Sequence, residues 1–549
     1  MNAAAGILLL AQICVSQSAK LEGHDSLPGD HFGCSVDMVA DRIVVGAENN
    51  RPISVGTLTG AVYVFELSGS TWVQQAQLTP SNAKPKGLFG HAIGCDASRI
   101  VVGAPAAYPT SMPGVNGLVY VYAGGATSWL EEALINPADA SAYRFGEAVD
   151  IDGDTLLIGA PEAPGGAAFV YVRSGANWVQ QAKLTASDFN STANFGDAVL
   201  IRDTLALVGA SNADGGQPAS GAVYVFTRSG TTWSQTQKLT ASNGQTGDSF
   251  GQAIDLDGTT IAIGAYLTDT GPWSDHGGVY TFEWNGQQWL EHIAIQVKGY
   301  SQTDHSGRAV AVDAGQLVFG APSELFAPSS LHLYAKSNTT WIQHLKFKCS
   351  DGPPYGGSGN SSWLGEAVAL QGTRLVAGAG NVDGTSLPQT GAAYVFNVQT
   401  QNSAPTFYCT AKTDSKGCRP RFHHEGIASA TGTLQGHPYR VKSWDILPKV
   451  PGMLFYGTNG AASVPFAGGF NCIQQPLRPT QMELTKMNGM PLPCNGQFIF
   501  DFNAWIASGN DPSLTAGQDV WMQYWYRDPT GMPGSNIGLT DGIYVSICP

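Results

Sequence analysis

Acidic and aromatic residues recur in the long segments that separate pairs of apolar strands in this sequence. An aromatic ring beside a carboxylate can stack on a sugar ring or hold a cationic side chain of a protein. Each such residue could instead only pack and solubilise its own loop. Seven of them are taken as candidate ligand-binding residues: Tyr108, Asp214, Tyr266, Trp273, Asp275, Phe326 and Asp383.

Catalytic and metal-binding motifs would be a second source of chemistry. The sequence contains no G-x-S-x-G, H-E-x-x-H or P-loop motif. His423, His424 and Glu425 are adjacent, and adjacent residues of a strand point to opposite sides, so they are poorly suited to share one metal ion. No carboxylate pair stands out, although such pairs are close in space and not in sequence. We therefore expect a protein without enzymatic activity and without a cofactor.

A repeated unit positions these residues. In Phe145–Ala160 it opens with Phe-Gly, runs through an apolar strand to a turn at Asp152-Gly153, and returns to Gly-Ala. In every copy the opening residue and the later Gly are 14 positions apart, which predicts a tight hairpin in a packed core. The seven copies, of which the last two are degenerate, open at Phe32, Phe89, Phe145, Phe195, Phe250, Ser306 and Leu364.

The period of these copies, 50 to 58 residues, predicts a β-propeller with seven blades of four strands. The links between the first and second strands and between the third and fourth strands are short, whereas the other links are long. In an up-and-down blade the short turns share one face and the long links share the other. Because binding residues concentrate on loops held by a rigid scaffold, we predict one plain face and one variable binding face.

The seventh unit has no fourth strand after Phe396, but Ile13–Leu21 resembles the fourth strands of the other units. We predict that this N-terminal strand completes the last blade and closes the ring, which removes an edge that would invite aggregation. The propeller is expected to span residues 12–398. Residues 1–11 are apolar and are either an atypical or truncated signal segment or a plain apolar strand.

One tryptophan begins the fourth strand of most units. Because it occurs once per blade at one position, packing between blades is favoured over ligand binding. These residues are Trp72, Trp129, Trp178, Trp233, Trp289 and Trp341.

The periodicity stops after Phe396. Residues 399–405 read as a polar linker, and residues 406–549 contain short strands such as MLFYGTNG, QFIFDFNAW, VWMQYWYRDP and GIYVSICP. No segment of the chain has helical periodicity. We predict an all-β protein whose propeller is followed by a separate β-sandwich.

Five of the nine cysteines lie in this C-terminal region, without zinc-site spacing. Disulfides are the favoured interpretation, and they indicate an oxidising compartment. The first expected pair is Cys472 with Cys494. The second is Cys409 with either Cys418 or Cys548.

The charge of the chain is unevenly distributed. The net charge is −14, and residues 1–398 hold 18 basic against 33 acidic residues. Nucleic-acid binders need a basic face, so this acidic body argues against nucleic acid as a partner. No apolar run is long enough to cross a membrane as a helix. The low charged fraction, 13%, together with 68 Gly, is typical of a secreted all-β protein rich in turns.

The Gly-Ala-Pro segments at Gly103–Pro105, Gly159–Pro161 and Gly320–Pro322, each preceded by the opening motif, resemble the FG-GAP repeat. That repeat builds the seven-bladed propeller of integrin α subunits and of many secreted bacterial proteins. The tail, with Cys409–Lys412 and Trp525–Pro529, looks like a C-terminal module of such bacterial proteins. The resemblance implies a secreted or cell-surface adhesion protein that binds a protein or glycan. The alternatives are an extracellular polysaccharide-active enzyme and a structural envelope or matrix component.

The resemblance also implies a Ca²⁺ site in many members, in a loop Asp-x-Asn-x-Asp-Gly-x-x-Asp between the first two strands. This sequence departs from that pattern. Asp150, Asp152 and Asp154 are followed by no closing carboxylate, and the 14-residue spacing leaves room only for a turn. We therefore expect Asp-Gly to form the hairpin turn and the Ca²⁺ chemistry to be absent.

Overall fold

Short antiparallel β-strands make up nearly all of the regular structure in the computed structural model. The described residues are 12–52, 58–107, 116–125, 128–188, 190–269, 275–296, 304–322, 329–337, 340–349, 362–382, 389–401, 406–408, 420–425, 428, 439–446, 449–459, 461–466, 469–484, 486–487, 496–515, 518–527 and 537–547. They form two compact units, Gln17–Asn397 and Met1–Ser16 with Val398–Pro549.

The repeats form seven four-stranded sheets, which we number as blades one to seven. The N-terminal strand is β1 (Gln12–Leu21). Blades one to three contain β2 (Phe32–Val39), β3 (Arg42–Ala47), β4 (Ala61–Ser68), β5 (Thr71–Leu78), β6 (Ala92–Cys95), β7 (Arg99–Ala104), β8 (Leu118–Gly124), β9 (Trp129–Ile135), β10 (Val149–Asp152), β11 (Thr155–Ala160), β12 (Ala167–Ser174) and β13 (Asn177–Leu184).

Blades four to six follow in the same order, and blade seven takes three consecutive strands. Their strands are β14 (Phe195–Arg202), β15 (Leu205–Ala210), β16 (Ala222–Ser229), β17 (Thr232–Leu239), β18 (Phe250–Asp257), β19 (Thr260–Ala265), β20 (Gly278–Trp284), β21 (Trp289–Gln296), β22 (Val310–Asp313), β23 (Gln316–Ala321), β24 (Ser330–Ser337), β25 (Thr340–Phe347), β26 (Leu364–Gln371), β27 (Arg374–Ala379) and β28 (Ala392–Gln401).

The first strands of the blades form a closed ring. Each contacts the first strand of the next blade, and β26 of blade seven contacts β2 of blade one. The repeat region is therefore a seven-bladed β-propeller, as the period predicted.

The outer strand of blade seven is β1, because the sheet order is β1-β28-β27-β26. The Ser18 hydroxyl donates to the Val395 carbonyl at 3.2 Å. Leu21 is 3% exposed and lies in one apolar cluster with Phe32 and Val376. The outer edge of β28 is therefore covered by a strand that lies more than 370 residues earlier in the chain.

The Phe-Gly and Gly-Ala elements of the repeat meet between neighbouring blades. A Cβ atom on Gly378 would lie 1.9 Å from the carbonyl oxygen of Gly33, and the same relation recurs around the ring. Gly33 itself has a φ of +95°, a conformation that side chains rarely tolerate. The constant spacing in the sequence therefore reflects a backbone contact between blades that admits no side chain.

Aromatic packing fills each blade behind this contact. Phe145 is fully buried and its ring lies 5.6 Å from Phe169, edge to face. Blade six has Ser306 where the others have Phe or Leu. There Phe319 of β23 stacks on His332 at 5.0 Å, so the aromatic ring comes from a different strand.

Side chains beside the first turn of a blade bind the next blade. Asp257 accepts a hydrogen bond from the Ala314 amide at 2.8 Å. Gln371 of blade seven accepts one from the Ala40 amide of blade one at 2.7 Å. The acidic residues of the Asp-Gly turns therefore do more than form the predicted hairpins, because they also join neighbouring blades.

The second unit contains the remaining strands and one short helix. They are β29 (Thr406–Tyr408), β30 (Arg421–Glu425), β31 (Arg440–Ile446), β32 (Pro451–Gly457), β33 (Ala461–Phe466), β34 (Gly469–Ile473), β35 (Arg478–Pro479), β36 (Glu483–Leu484), β37 (Lys486–Met487), β38 (Gly496–Asp501), α1 (Phe502–Ala507), β39 (Asp519–Arg527) and β40 (Ile537–Ser546).

Two larger sheets of this unit share one core. One has the order β29-β40-β39-β32-β35, with β36 also pairing β32, and the other has the order β30-β31-β38-β37. Phe498 of β38 stacks on Tyr524 of β39 at 5.2 Å, and both lie in the same buried cluster. The β-sandwich of residues 406–549 stays a prediction.

One sequence expectation for this unit is wrong. The segment QFIFDFNAW was expected to be a strand, but its second half is helix α1. Asp501 ends the strand and accepts a hydrogen bond from the Ala504 amide at 2.9 Å, which caps the helix. Among the described residues, no helix is long and apolar enough to cross a membrane.

The predicted disulfides cannot be placed. Cys409, Cys418, Cys494 and Cys548 lie outside the described residues, as does the side chain of Cys472. Their pairing stays a prediction.

Candidate functional site

One end of the inner ring collects side chains from all seven blades. The residue before each Phe-Gly or its equivalent has a left-handed backbone, with φ between 54° and 62°. These residues are His31, Leu88, Arg144, Asn194, Ser249, His305 and Trp363. A second inward position lies two residues after the Phe, and a third follows Gly-Ala. We call these three positions of every blade the axial mouth.

The axial mouth lies on the variable face. The residue before Phe-Gly ends the long link between blades, and the residue after Gly-Ala starts the long link between the second and third strands. Variation at these positions therefore changes the surface at the mouth while the Phe-Gly and Gly-Ala contacts keep the scaffold constant.

Histidines and glutamates alternate across four neighbouring blades of the mouth. His31 Nε2 lies 3.0 Å from Glu366 Oε2, and His31 Nδ1 lies 2.9 Å from Glu48 Oε1. His91 Nδ1 lies 2.6 Å from the other oxygen of Glu48, and its Nε2 lies 3.4 Å from Glu147 Oε1. Glu366, His31, Glu48, His91 and Glu147 thus form one continuous array from blade seven to blade three.

The array holds His31, His91 and Glu48 in their charged forms. Burial alone would lower the pKa of His31, but hydrogen bonds and charges of Glu366 and Glu48 outweigh it and raise the pKa to about 10. For His91 the same balance, with Glu147 and Glu48, raises the pKa to about 9. Burial would raise the pKa of Glu48, but the two imidazolium groups hold it well below its usual range. Neither histidine is therefore a base at neutral pH.

Arg144 completes the array at blade three. Its Nε donates to Glu147 Oε2 at 2.7 Å. Burial would raise the pKa of Glu147, but His91 and Arg144 together lower it. Glu147 is therefore an ionised carboxylate held from two sides.

Blade four contributes Asp197, a carboxyl group whose pKa is raised, whereas that of Glu147 is lowered. The Ser211 hydroxyl donates to Asp197. Burial, and then the charge of Glu147, raise the pKa of Asp197 to about 6 although the Ser211 hydrogen bond opposes this. Asp197 and Glu147 are therefore electrostatically coupled, with the proton favoured on Asp197.

Aromatic rings occupy the remaining part of the mouth. Arg308 lies over the ring of Tyr266, 5.0 Å from its centre. The His305 ring is 5.5 Å from the Tyr266 ring, edge to face. Trp363 is 39% exposed and lies 5.5 Å from the His31 ring. The mouth thus joins a charged array to an aromatic side that retains accessible surface.

An open cavity lies at the opposite end of the ring. Its volume is about 510 Å³, and Asp37, Asp150 and Asp255 line it with Arg202. Burial raises the pKa of Asp37 and of Asp255 to about 6. Each aspartate accepts an amide hydrogen bond from the next blade, for example Asp255 from Val312 at 2.7 Å. These carboxylates therefore join the blades.

The structure describes three of the seven candidate binding residues. Tyr266 belongs to the mouth, and the Asp275 carbonyl accepts a hydrogen bond from the His305 amide at 3.2 Å, so both share His305 as a neighbour. Asp214 is exposed and lines a separate pocket with Asp188 and Tyr224. The other four, Tyr108, Trp273, Phe326 and Asp383, lie outside the described residues.

Sequence reasoning missed most of the mouth. His31, His91, Glu147 and Glu366 were not predicted as site residues, because they lie directly beside the repeated motif that indicates core packing. An alignment of the seven repeats would have found them, since they vary beside the otherwise constant Phe-Gly.

A metal site is not indicated by the described side chains. Within the described ranges, no group of three or more His, Cys, Asp and Glu residues is arranged to hold a metal ion. The Asp-rich turns instead receive amide hydrogen bonds from neighbouring blades.

Comparison with known proteins identifies the repeat. The profile of the FG-GAP repeat matches residues 15–65, 72–122, 129–171, 178–226 and 233–282. No curated protein matches the chain.

The matched segments are offset from the blades by one strand. The second match, for example, starts at Trp72 in β5 of blade one and ends at Tyr122 in β8 of blade two. The first match starts within β1, which accordingly has the role of a fourth strand and lies in blade seven. Blade six and the three consecutive strands β26, β27 and β28 of blade seven are more divergent and lie outside the matched segments. The propeller therefore contains five FG-GAP repeats between residues 15 and 282.

Proposed function

We propose that this is a secreted or cell-surface binding protein that presents the axial mouth to a protein ligand. FG-GAP repeats occur in adhesion and binding proteins, their propellers generally bind protein ligands, and they are typical of extracellular proteins. The observation that carries the proposal is the contrast within each repeat. The contacts between blades are constant, whereas the combination of the three mouth residues beside them differs from blade to blade.

The chemistry of the mouth favours a protein over a glycan as the ligand. Its charges are of both signs and fixed in position, with Arg308 and Trp363 on the aromatic side. A protein surface offers complementary charges and apolar side chains together. A neutral glycan would not use the fixed charges, and would have to compete with ion pairs already formed.

A binding experiment tests this proposal. The wild-type chain is screened against purified extracellular and cell-surface proteins, and each ligand found is titrated against Trp363→Ala and Arg308→Ala. The matched control is Leu130→Ala, whose side chain is 74% exposed on β9. We expect at least a tenfold loss of affinity in the mouth variants and none in the control. Equal affinity in all four proteins would exclude the mouth as the binding site.

A second candidate function is hydrolysis of a polysaccharide, favoured by the pair Asp197 and Glu147. Glycoside hydrolysis uses one carboxyl group that keeps its proton and one that is ionised, and the pKa directions of Asp197 and Glu147 follow this division. Against it, Glu147 is already held by Arg144 and His91. The chain is incubated with a panel of polysaccharides and the release of reducing ends is measured. Release by the wild type that is lost in Asp197→Asn, while that variant still binds the polysaccharide, would support hydrolysis. No release by the wild type would exclude it.

A further inference from the structure

The repeated tryptophans differ in what covers them. A cation lies over the ring in five blades, at 4.9 Å for Arg374 over Trp72 and 4.6 Å for Arg42 over Trp129. The others are Arg99 over Trp178, Arg228 over Trp233 and Lys336 over Trp341, at 5.7 to 5.9 Å. Because a guanidinium or ammonium group over an aromatic face is favourable, these rings are closed to a ligand.

Blade five is the exception. Trp284 is the cross-strand partner of Trp289. In blades three, four and six the partner of the repeated tryptophan is instead a cation, namely Arg173, Arg228 and Lys336. In blade four, Leu205 begins the second strand where Arg42, Arg99 and Arg374 begin it elsewhere. Both sources of the covering cation are therefore replaced by uncharged side chains at the junction of blades four and five.

A cavity of about 530 Å³ occupies this junction. Trp289 is 5% exposed and lies at its base, whereas Trp284 is 40% exposed, with ring centres 5.4 Å apart. No residue that lines the cavity is charged. The volume is within the range of small-molecule sites, about 300–1,000 Å³.

Polar groups surround the aromatic wall. Gln287 and Gln288 line the cavity with Thr204 and Thr227, and all four are exposed. Amides and hydroxyls each offer donors and acceptors. The Gln237 amide holds the position of Trp289 through two hydrogen bonds, donating to its carbonyl at 2.6 Å and accepting from its N–H at 2.9 Å. Trp289 is therefore held in position, while the exposed amides and hydroxyls remain accessible to a ligand.

We infer that the cleft between blades four and five, lined by Trp284, Gln287, Gln288 and Thr204, is a binding site for a neutral oligosaccharide. A pyranose ring has an apolar C–H face that can stack on an indole, and hydroxyls that need both donors and acceptors. A charged ligand would find no opposite charge in the lining. A purely apolar ligand would desolvate the amides and hydroxyls without pairing them.

The cleft is distinct from the proposed protein-binding site. Gly258 and Thr204 lie in the short turns between first and second strands, and Gln287 and Gln288 lie between third and fourth strands. The cleft therefore lies on the face of the short turns, which was not predicted to be the binding face. The inference does not depend on the function of the axial mouth.

A glycan experiment tests the inference. The full chain is applied to an array of neutral and anionic glycans, and neutral oligosaccharides of two to six hexoses are then titrated by calorimetry and tryptophan fluorescence. We expect binding of neutral glycans, with at least a tenfold loss of affinity in Trp284→Arg. That variant introduces the residue found at this position in blades three and four, where Arg228 of blade four lies over Trp233, so its folding should be preserved.

Two further variants separate the possible outcomes. Gln288→Ala should lower affinity, whereas Leu290→Ala, 45% exposed on the same strand as Trp289, should not. Trp363→Ala at the axial mouth should leave sugar binding intact whether or not the mouth binds a protein. Failure of the wild type to bind any neutral glycan, or unchanged affinity in both Trp284→Arg and Gln288→Ala, would overturn the inference.

Discussion

His31 Nε2 lies 3.0 Å from Glu366 Oε2, although 335 positions separate the two residues in the sequence. His31 belongs to the start of blade one and Glu366 to blade seven. The pair therefore spans the junction at which the two ends of the repeat array meet. It also begins the charged array that continues through Glu48 and His91 to Glu147.

The array predicts a loss of stability at alkaline pH. The pKa of His31 is raised from 6.5 to about 10 and that of His91 to about 9. A raised histidine pKa stabilises the folded state fully below pH 6.5, and this contribution is lost as the pH rises through the folded pKa values. We therefore expect the free energy of unfolding, measured in urea, to fall between about pH 6.5 and 10.

His31→Ala is the matched variant for this pH dependence. At pH 7 it should lower the free energy of unfolding by about 1.5–3 kcal/mol, the usual range for a hydrogen bond to a charged group. The difference between wild type and variant should shrink towards pH 10. A difference that stays constant across the pH range would contradict the charged state assigned to His31.

Gly380 makes room for the same pair. A Cβ atom at this position would lie 2.1 Å from His31 Cδ2 and 2.7 Å from Glu366 Oε2. We expect Gly380→Ala to displace the imidazole and bring the pKa of His31, followed by NMR, back towards 6.5. Gly125→Ala, where nothing lies within 4 Å, should leave that titration unchanged. An unaltered His31 titration in Gly380→Ala would show that the pair is not held as described.

Gly378 tests the backbone contact that closes the ring. Its substitution by Ala places a methyl group 1.9 Å from the Gly33 carbonyl oxygen, and a backbone atom cannot move aside as a flexible side chain can. We expect a loss of about 1–3 kcal/mol or more, as for overpacking elsewhere. Thermal unfolding reports it, with Gly125→Ala as the neutral reference. Equal stability of the two variants would be incompatible with this contact.

Leu21 tests the role of strand β1. Its side chain is 3% exposed and packs with Phe32 and Val376, so Leu21→Ala should cost about 2–5 kcal/mol. Detachment of β1 would expose the edge of β28, so aggregation on heating should also begin earlier. Light scattering during a thermal ramp measures this. Leu130→Ala is the exposed control, and identical behaviour of the two variants would argue against closure by β1.

The repeat residues explain why the propeller could be predicted from the sequence. Each repeat contains the residues for two kinds of packing. Phe145 is an aromatic residue of the core within a blade, and Gly378 is a glycine that meets the next blade. Such local patterns are visible without coordinates because each blade contacts mainly its neighbours. Blade six was recognised only as degenerate, since the sequence does not show that Phe319 supplies the ring in place of Ser306.

The candidate sites were predicted less well. Tyr266 was proposed from its position in a long link, and it does belong to the axial mouth. The link between His31 and Glu366 could not be read from the sequence, because it depends on the rotation that brings blade seven beside blade one. The cleft at Trp284 was missed because all the repeated tryptophans were interpreted together as packing residues.

The sequence by itself determined the fold class, the number of blades and the two faces, because these follow from spacing and from the length of each link. The tertiary structure decided which of the variable residues meet. His31, Glu48, His91 and Glu147 lie in three consecutive blades, and Glu366 of blade seven joins their charged array only when the ring closes. Likewise, the cleft at Trp284 depends on two uncharged residues, Trp284 of blade five and Leu205 of blade four, and a pattern within one repeat does not show that these two meet.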